Sequence, residues 1–114
     1  MENLRSYLPE LIKSLQQIDP LQIILFGSLA AGNEDIDSDI DLVVILNRND
    51  LPRNVDEKLR NKMFVRNAIR EISFEIPIDI LVFTKAEFLK MELIRSPFYN
   101  EIRDKGEIIY EKAG

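Results

Sequence analysis

Five successive apolar residues, Leu42-Val43-Val44-Ile45-Leu46, follow directly on the acidic stretch Ser38-Asp39-Ile40-Asp41. A half-solvated strand alternates apolar and polar residues; a continuous aliphatic run has to be covered on both faces. Residues 40–46 therefore predict a central strand, enclosed by other strands beside it and helices against it. The neighbours are visible in the sequence. Ile23-Ile24-Leu25-Phe26 is a short apolar run ended by Gly27-Ser28, residues 76–83 form another, and Ile108-Ile109-Tyr110 could add a last short strand.

Between these runs the spacing turns helical. Leu8, Leu11, Ile12, Leu15 and Ile18 predict a first helix, stopped at Asp19-Pro20. Residues 47–54 are polar, contain Pro52 and read as a loop. Val55, Leu59, Met63, Ala68, Ile69 and Ile72 predict one long amphipathic helix. Thr84 with Glu87 has the form of a capping box, and Ser96-Pro97 starts a further helix that Gly106 ends. The order is helix, strand, strand, helix, strand, helix, helix, strand. The 13-residue link from 27 to 39 is borderline for a parallel crossover, so a mixed sheet is expected. The fold class is α/β (α+β), a small mixed sheet flanked by helices, and the 114 residues are expected to form one domain.

Composition narrows the chemistry. There is no cysteine and no histidine, which removes thiolate sites, the commonest general base and every Ser-His or Cys-His nucleophile. A metal must then be held by oxygen, which favours Mg²⁺, Mn²⁺ or Ca²⁺ over Zn²⁺. A net charge of −5 argues against sequence-independent nucleic-acid binding, which relies on clustered Lys and Arg. No apolar run approaches a membrane span and the N-terminus lacks a signal-peptide layout, so a cytoplasmic protein is expected. Phe64, Phe74, Phe83, Phe88 and Phe98 read as core residues.

Asp39 and Asp41 stand two apart at the start of a buried strand, so both carboxylates point to one side. Aspartate is disfavoured in strands, and two like charges on one face repel unless a cation lies between them. Glu34, Asp35 and Asp37 read instead as a solvated acidic loop. Gly27 and Ser28 close the preceding strand, where a glycine lets a phosphate approach the backbone and free N–H groups with a hydroxyl suit its oxygens. Gly27 could also be an ordinary strand terminator, Ser38 is equally readable as a turn residue, and Gly32 reads as a turn glycine without a ligand role. Ile76, Ile78, Ile80 and Val82 would line one face of the third strand, leaving Asp79 on the other with Leu81 and Phe83. An aspartate there is simplest to explain if it faces the same metal centre, although a strand-edge position beside Pro77 is the plainer alternative.

The pattern Gly-Ser-x₃-Gly-x₅-Ser-Asp-x-Asp-Leu, with a later Asp 38 residues on in an apolar strand, resembles the polymerase-β-type nucleotidyltransferase superfamily, over roughly Leu8 to Tyr110. The size resembles its minimal (MNT) branch. The resemblance implies that Gly27, Ser28 and Ser38 bind the nucleotide. It implies that Asp39, Asp41 and Asp79 are catalytic and hold metal, with two Mg²⁺ ions or Mn²⁺ in their place. The implied substrate is ATP, with AMP passing to an acceptor hydroxyl. A larger relative binds its acceptor with a second domain. Here a partner chain is expected to supply it, in a hetero- or homo-oligomer. The minimal branch implies a small helical HEPN-type toxin as that partner, with this chain as antitoxin. One departure stands out: many minimal relatives carry an Arg shortly after the Gly-Ser, whereas this chain reads Leu29-Ala30-Ala31. A module that neutralises a partner by binding alone, and a transferase acting on a small molecule, are the alternatives.

Overall fold

The computed structural model describes residues 4–30, 32 and 39–113. After a short 3₁₀ turn at Leu4–Tyr7, α1 spans Leu8–Gln16, β1 Pro20–Phe26, α2 Gly27–Ala30, β2 Ile40–Leu46, α3 Val55–Ala68, α4 Arg70–Ser73, β3 Ile78–Thr84, α5 Lys85–Leu93, α6 Pro97–Lys105 and β4 Glu107–Glu111. The four strands form one sheet in the order β3-β2-β1-β4. β1 is antiparallel to both β2 and β4, while β2 and β3 run parallel. The sheet is mixed, as the short link before Asp39 predicts, and β2 lies inside it.

β2 is covered on both faces. Ile40, Leu42, Val44 and Leu46 join a large core with α1 residues Leu8, Leu11 and Leu15, Val65 of α3 and Ile72 of α4. Val43 and Ile45 point the other way, into a smaller core with Ile24, Ile102 of α6 and the rings of Phe26, Phe83, Phe88 and Phe98. Each such aliphatic side chain contributes about 1.5–3 kcal/mol by leaving water. Local signals agree with this packing. The Glu87 N–H donates to Thr84 Oγ1 (3.1 Å) and the Thr84 N–H donates to Glu87 Oε1 (2.9 Å), completing the capping box of α5. The Thr84 hydroxyl itself donates to the Asp50 carbonyl at 2.7 Å, fixing the loop after β2 to the end of β3.

The structure corrects the sequence expectations at several places. β1 begins three residues earlier than the apolar run, and β3 begins at Ile78 because Pro77 has no N–H to give the ladder. The long helix is broken at Ile69, whose φ of −115° and ψ of 18° leave the helical region between α3 and α4. Val55, Leu59 and Met63 do not face the core: they are 80%, 53% and 54% exposed. α3 turns the buried Asn61 and Val65 inward, and Asn61 is satisfied by Arg48, whose Nη1 donates to its Oδ1 at 3.0 Å. Phe64 and Phe74 are exposed as well, while Phe83, Phe88 and Phe98 are half-buried.

Gly106 ends α6 where two layers meet. A Cβ there would stand 2.5 Å from the Ile102 carbonyl oxygen and 2.7 Å from Ile24 Cγ2, and the first of these is backbone that cannot yield. Its φ is −77°, so the constraint is space, not conformation. Gly106→Ala is expected to cost about 2–3 kcal/mol. That lowers Tm by roughly 10 °C in thermal denaturation; an unchanged Tm would refute the steric account.

Candidate active site

The site is built where three strand ends coincide. β1 is antiparallel to β2, so its last residue, Phe26, pairs across from Asp41. β3 is parallel to β2, so Asp79 lies beside Asp41 as its direct register partner. Directly paired residues project to the same face, so the two carboxylates share the face that also carries Phe26, Val43 and Phe83. Asp39 is exposed and immediately precedes β2, two residues before Asp41. The aromatic edge of the small core borders this group: the Phe26 ring meets Phe98 edge-on at 6.0 Å. Periodicity did not single out Phe26; the signal for it was its place as the last apolar residue before Gly27.

Asp41 is the electrostatic centre. Burial pushes its carboxyl above the ordinary carboxylate range, and the charges of Asp79 and then Asp39 push it further in the same direction. The charges of Asp79 and Asp39 therefore both reach Asp41, although the two residues lie 38 and two positions from it in sequence. Among the described residues no group of three acidic side chains stands close enough to hold a metal ion by itself.

Gly27 faces Asp41 across the β1–β2 pair. Its φ is +76°, a left-handed value that favours glycine. A Cβ at Gly27 would overlap Asp41 Oδ2 and lie 3.1 Å from Asp41 Cγ. Glycine is thus required twice, for the turn into α2 and for the room the Asp41 carboxylate takes. Gly32 also has a positive φ, +83°, but has open space around it, in keeping with a turn role. Asp79, for its part, is exposed on an edge strand, so the strand-edge feature of the plainer alternative and its pairing with Asp41 hold together. Ser38 lies outside the described residues, as does the side chain of Ser28.

The donors are all hard oxygens; Asp41 is partly buried, Asp39 and Asp79 are exposed, and the charges of the latter two repel that of Asp41. This fits Mg²⁺ or Mn²⁺, which favour carboxylates and complete their shells with water or phosphate oxygens. The fold and this arrangement can be set against known proteins. The family described as "Polymerase beta, Nucleotidyltransferase" matches residues 9–113. The chain belongs to the polymerase β nucleotidyltransferase family.

Solved structures share this nucleotidyltransferase's fold at low identity. A Sulfolobus solfataricus protein assigned as a nucleotidyltransferase is 18% identical, with a TM-score of 0.54 over 95% of this chain and 77% of that one. A toxin–antitoxin structure with AMP-PNP is 17% identical, with a TM-score of 0.53 over 91% and 73%. A mutant of the MntA-HpeT toxin–antitoxin pair is 17% identical, with a TM-score of 0.53 over 98% and 75%. No curated protein sequence matches. The nucleotidyltransferase has, among its described residues, no helix long and apolar enough to cross a membrane.

Proposed function

We propose that this nucleotidyltransferase passes AMP from ATP to a hydroxyl on a partner protein of HEPN type, as the antitoxin of a toxin–antitoxin pair. The observation that carries the reading is the pairing of Asp41 with Asp79 in register, beside a glycine whose missing side chain makes room for the Asp41 carboxylate. The toxin–antitoxin neighbours support the choice of partner, and the one solved with AMP-PNP supports an adenine nucleotide.

In this reading Asp39, Asp41 and Asp79 hold Mg²⁺. When bound, the metal offsets the negative charge on the attacking and leaving oxygens of an in-line displacement. Gly27, Ser28 and Ser38 receive the nucleotide's phosphates. The acceptor oxygen forms a bond to the α-phosphorus while the bond from that phosphorus to the bridging oxygen breaks, and pyrophosphate leaves. The hydroxyl proton passes to the Asp79 carboxylate. Asp79 suits this role because it is the exposed member of the pair, open to an incoming acceptor.

A second reading, neutralisation by binding alone, is favoured by one observation: Leu29-Ala30-Ala31 offers no cation to the phosphates. The two separate cleanly. The chain is incubated with labelled ATP, Mg²⁺ and its co-expressed partner, beside an Asp39→Ala/Asp41→Ala variant. Label is expected on the partner with the natural chain only. Neutralisation that survives the double substitution without any label transfer would overturn the enzymatic reading.

A further inference from the structure

The side of α3 that carries its apolar residues faces solvent. At about 100° per residue, Val55, Leu59 and Met63 fall within an arc of roughly 80°, on the side of the helix away from Asn61 and Val65. They are 80%, 53% and 54% exposed. Three such residues in succession make a continuous apolar stripe, where scattered ones would need no explanation. The stripe is edged by cations: Arg66 lies within it, Lys62 on one side and Arg60 on the other. None of these three is in an ion pair among the described residues, whereas the neighbouring Arg53 and Lys58 are held by Glu57 and Glu87. Only Asp56 sets a carboxylate on this outer side. In a chain of net charge −5, an apolar stripe with three uncommitted cations is a local inversion of the surface.

We propose that the outward face of α3 is a docking surface for a partner protein, and that its occupant is an amphipathic helix whose apolar stripe is flanked by Asp and Glu. The charge pattern selects that occupant over a second copy of this chain. Two copies of α3 packed by a twofold axis would bring six cations (Arg60, Lys62 and Arg66 twice over) together against only two Asp56 carboxylates, an excess of positive charge that repels. An acidic helix pairs with all three cations while covering Val55, Leu59 and Met63. The location matters for catalysis. α3 packs on the sheet face of the large core, and the carboxylates project from the opposite face. A partner held on α3 therefore leaves the Asp41–Asp79 side uncovered. Docking and transfer are carried by separate surfaces, and the inference rests on the preceding reading only in taking the docked protein as the acceptor.

The probe is a fluorescein-labelled synthetic helix of about 18 residues, with leucines in one stripe and flanking glutamates, titrated against the full chain by anisotropy. A twin peptide carries lysines in place of the glutamates. The glutamate peptide is expected to bind at least about tenfold more tightly than its twin. Arg60→Glu/Arg66→Glu is expected to reverse that order, and Leu59→Asp/Met63→Asp to weaken binding about tenfold or more. Because these side chains are exposed, Tm should stay within about 2 °C of the natural chain, and Mg²⁺-dependent ATP binding should be unchanged. Equal binding of both peptides, or binding indifferent to Leu59→Asp/Met63→Asp, would overturn the proposal. Self-association abolished by the same variants would also overturn it, by assigning the face to a second copy. Neither outcome bears on label transfer, so failure here leaves the transferase reading standing, and the converse holds too.

Discussion

Asp41→Asn is expected to lower nucleotidyl transfer by about a thousandfold, near 4 kcal/mol of transition-state stabilisation, while making the metal-free protein more stable. The first effect follows, on the proposed reading, from removing one charge at the centre of the three aspartates. The second follows from the direction of the Asp41 shift. Its carboxyl titrates higher in the folded chain, because of burial and then the charges of Asp79 and Asp39. A group raised in this way supports folding fully only below its ordinary, unfolded pKa. That support is lost as pH rises through the folded value. At neutral pH the ionised Asp41 thus opposes the metal-free fold, and neutral asparagine relieves it. The expected gain is small, on the order of 1–3 °C in Tm, because the group is only partly buried. It should vanish below about pH 4, where both forms are neutral. Melting curves with and without Mg²⁺ check it: the natural chain should be stabilised by the ion and the variant much less. Asp41→Asn that melts below the natural chain at neutral pH without metal would contradict the repulsion inferred here.

Gly27→Ala is expected to damage both stability and activity. The backbone at Gly27 is left-handed, at φ +76°, which costs an alanine about 1–2 kcal/mol. The new methyl would also lie 3.1 Å from Asp41 Cγ and 3.3 Å from Asp41 Cβ, so the carboxylate must swing away. A displaced ligand of about 1 Å is enough to lower transfer roughly a hundredfold. Tm should fall by about 5–10 °C. The two causes can be separated by repeating the substitution in an Asp41→Ala background, where the carboxylate is gone and only the backbone cost remains. A smaller loss of stability in that background, by at least about 0.5 kcal/mol, measures the contact. Identical losses in both backgrounds would show that the contact carries no weight.

The central strand, the mixed sheet and the caps at Thr84 and Ser96 were legible because each depends on residues close in sequence. The placing of Asp41 and Asp79 together was legible for a similar reason: a charge at the head of an apolar strand is locally anomalous. The relation of Gly27 to Asp41 was not, since it depends on the antiparallel register that sets Phe26 opposite Asp41. The orientation of α3 was misread for a physical reason. Periodicity identifies an apolar side of a helix, but it does not say whether that side meets the protein's own core or another surface. Asn61 takes the inward place because Arg48 satisfies it, and nothing in the spacing of α3 announces a partner in the loop after β2. Phe64 and Phe74 were assigned to the core by residue type alone and lie in water instead.

The parallel pairing of β2 with β3 has a consequence in time. β1 and β2 are antiparallel neighbours joined by a short link, whereas β3 reaches β2 only after α3 and α4 have been laid down. Pairings across longer stretches of chain carry the larger closure entropy and form later. Asp41 and Asp79 therefore meet after β1 and β2 have paired, and before β4, still farther along the chain, closes onto β1. Their repulsion is absent from the early nucleus, so relieving it slows unfolding and leaves the folding rate almost unchanged. The pair proposed to hold the metal is thus assembled only once the first two strands are in place, and its repulsion is felt from then on.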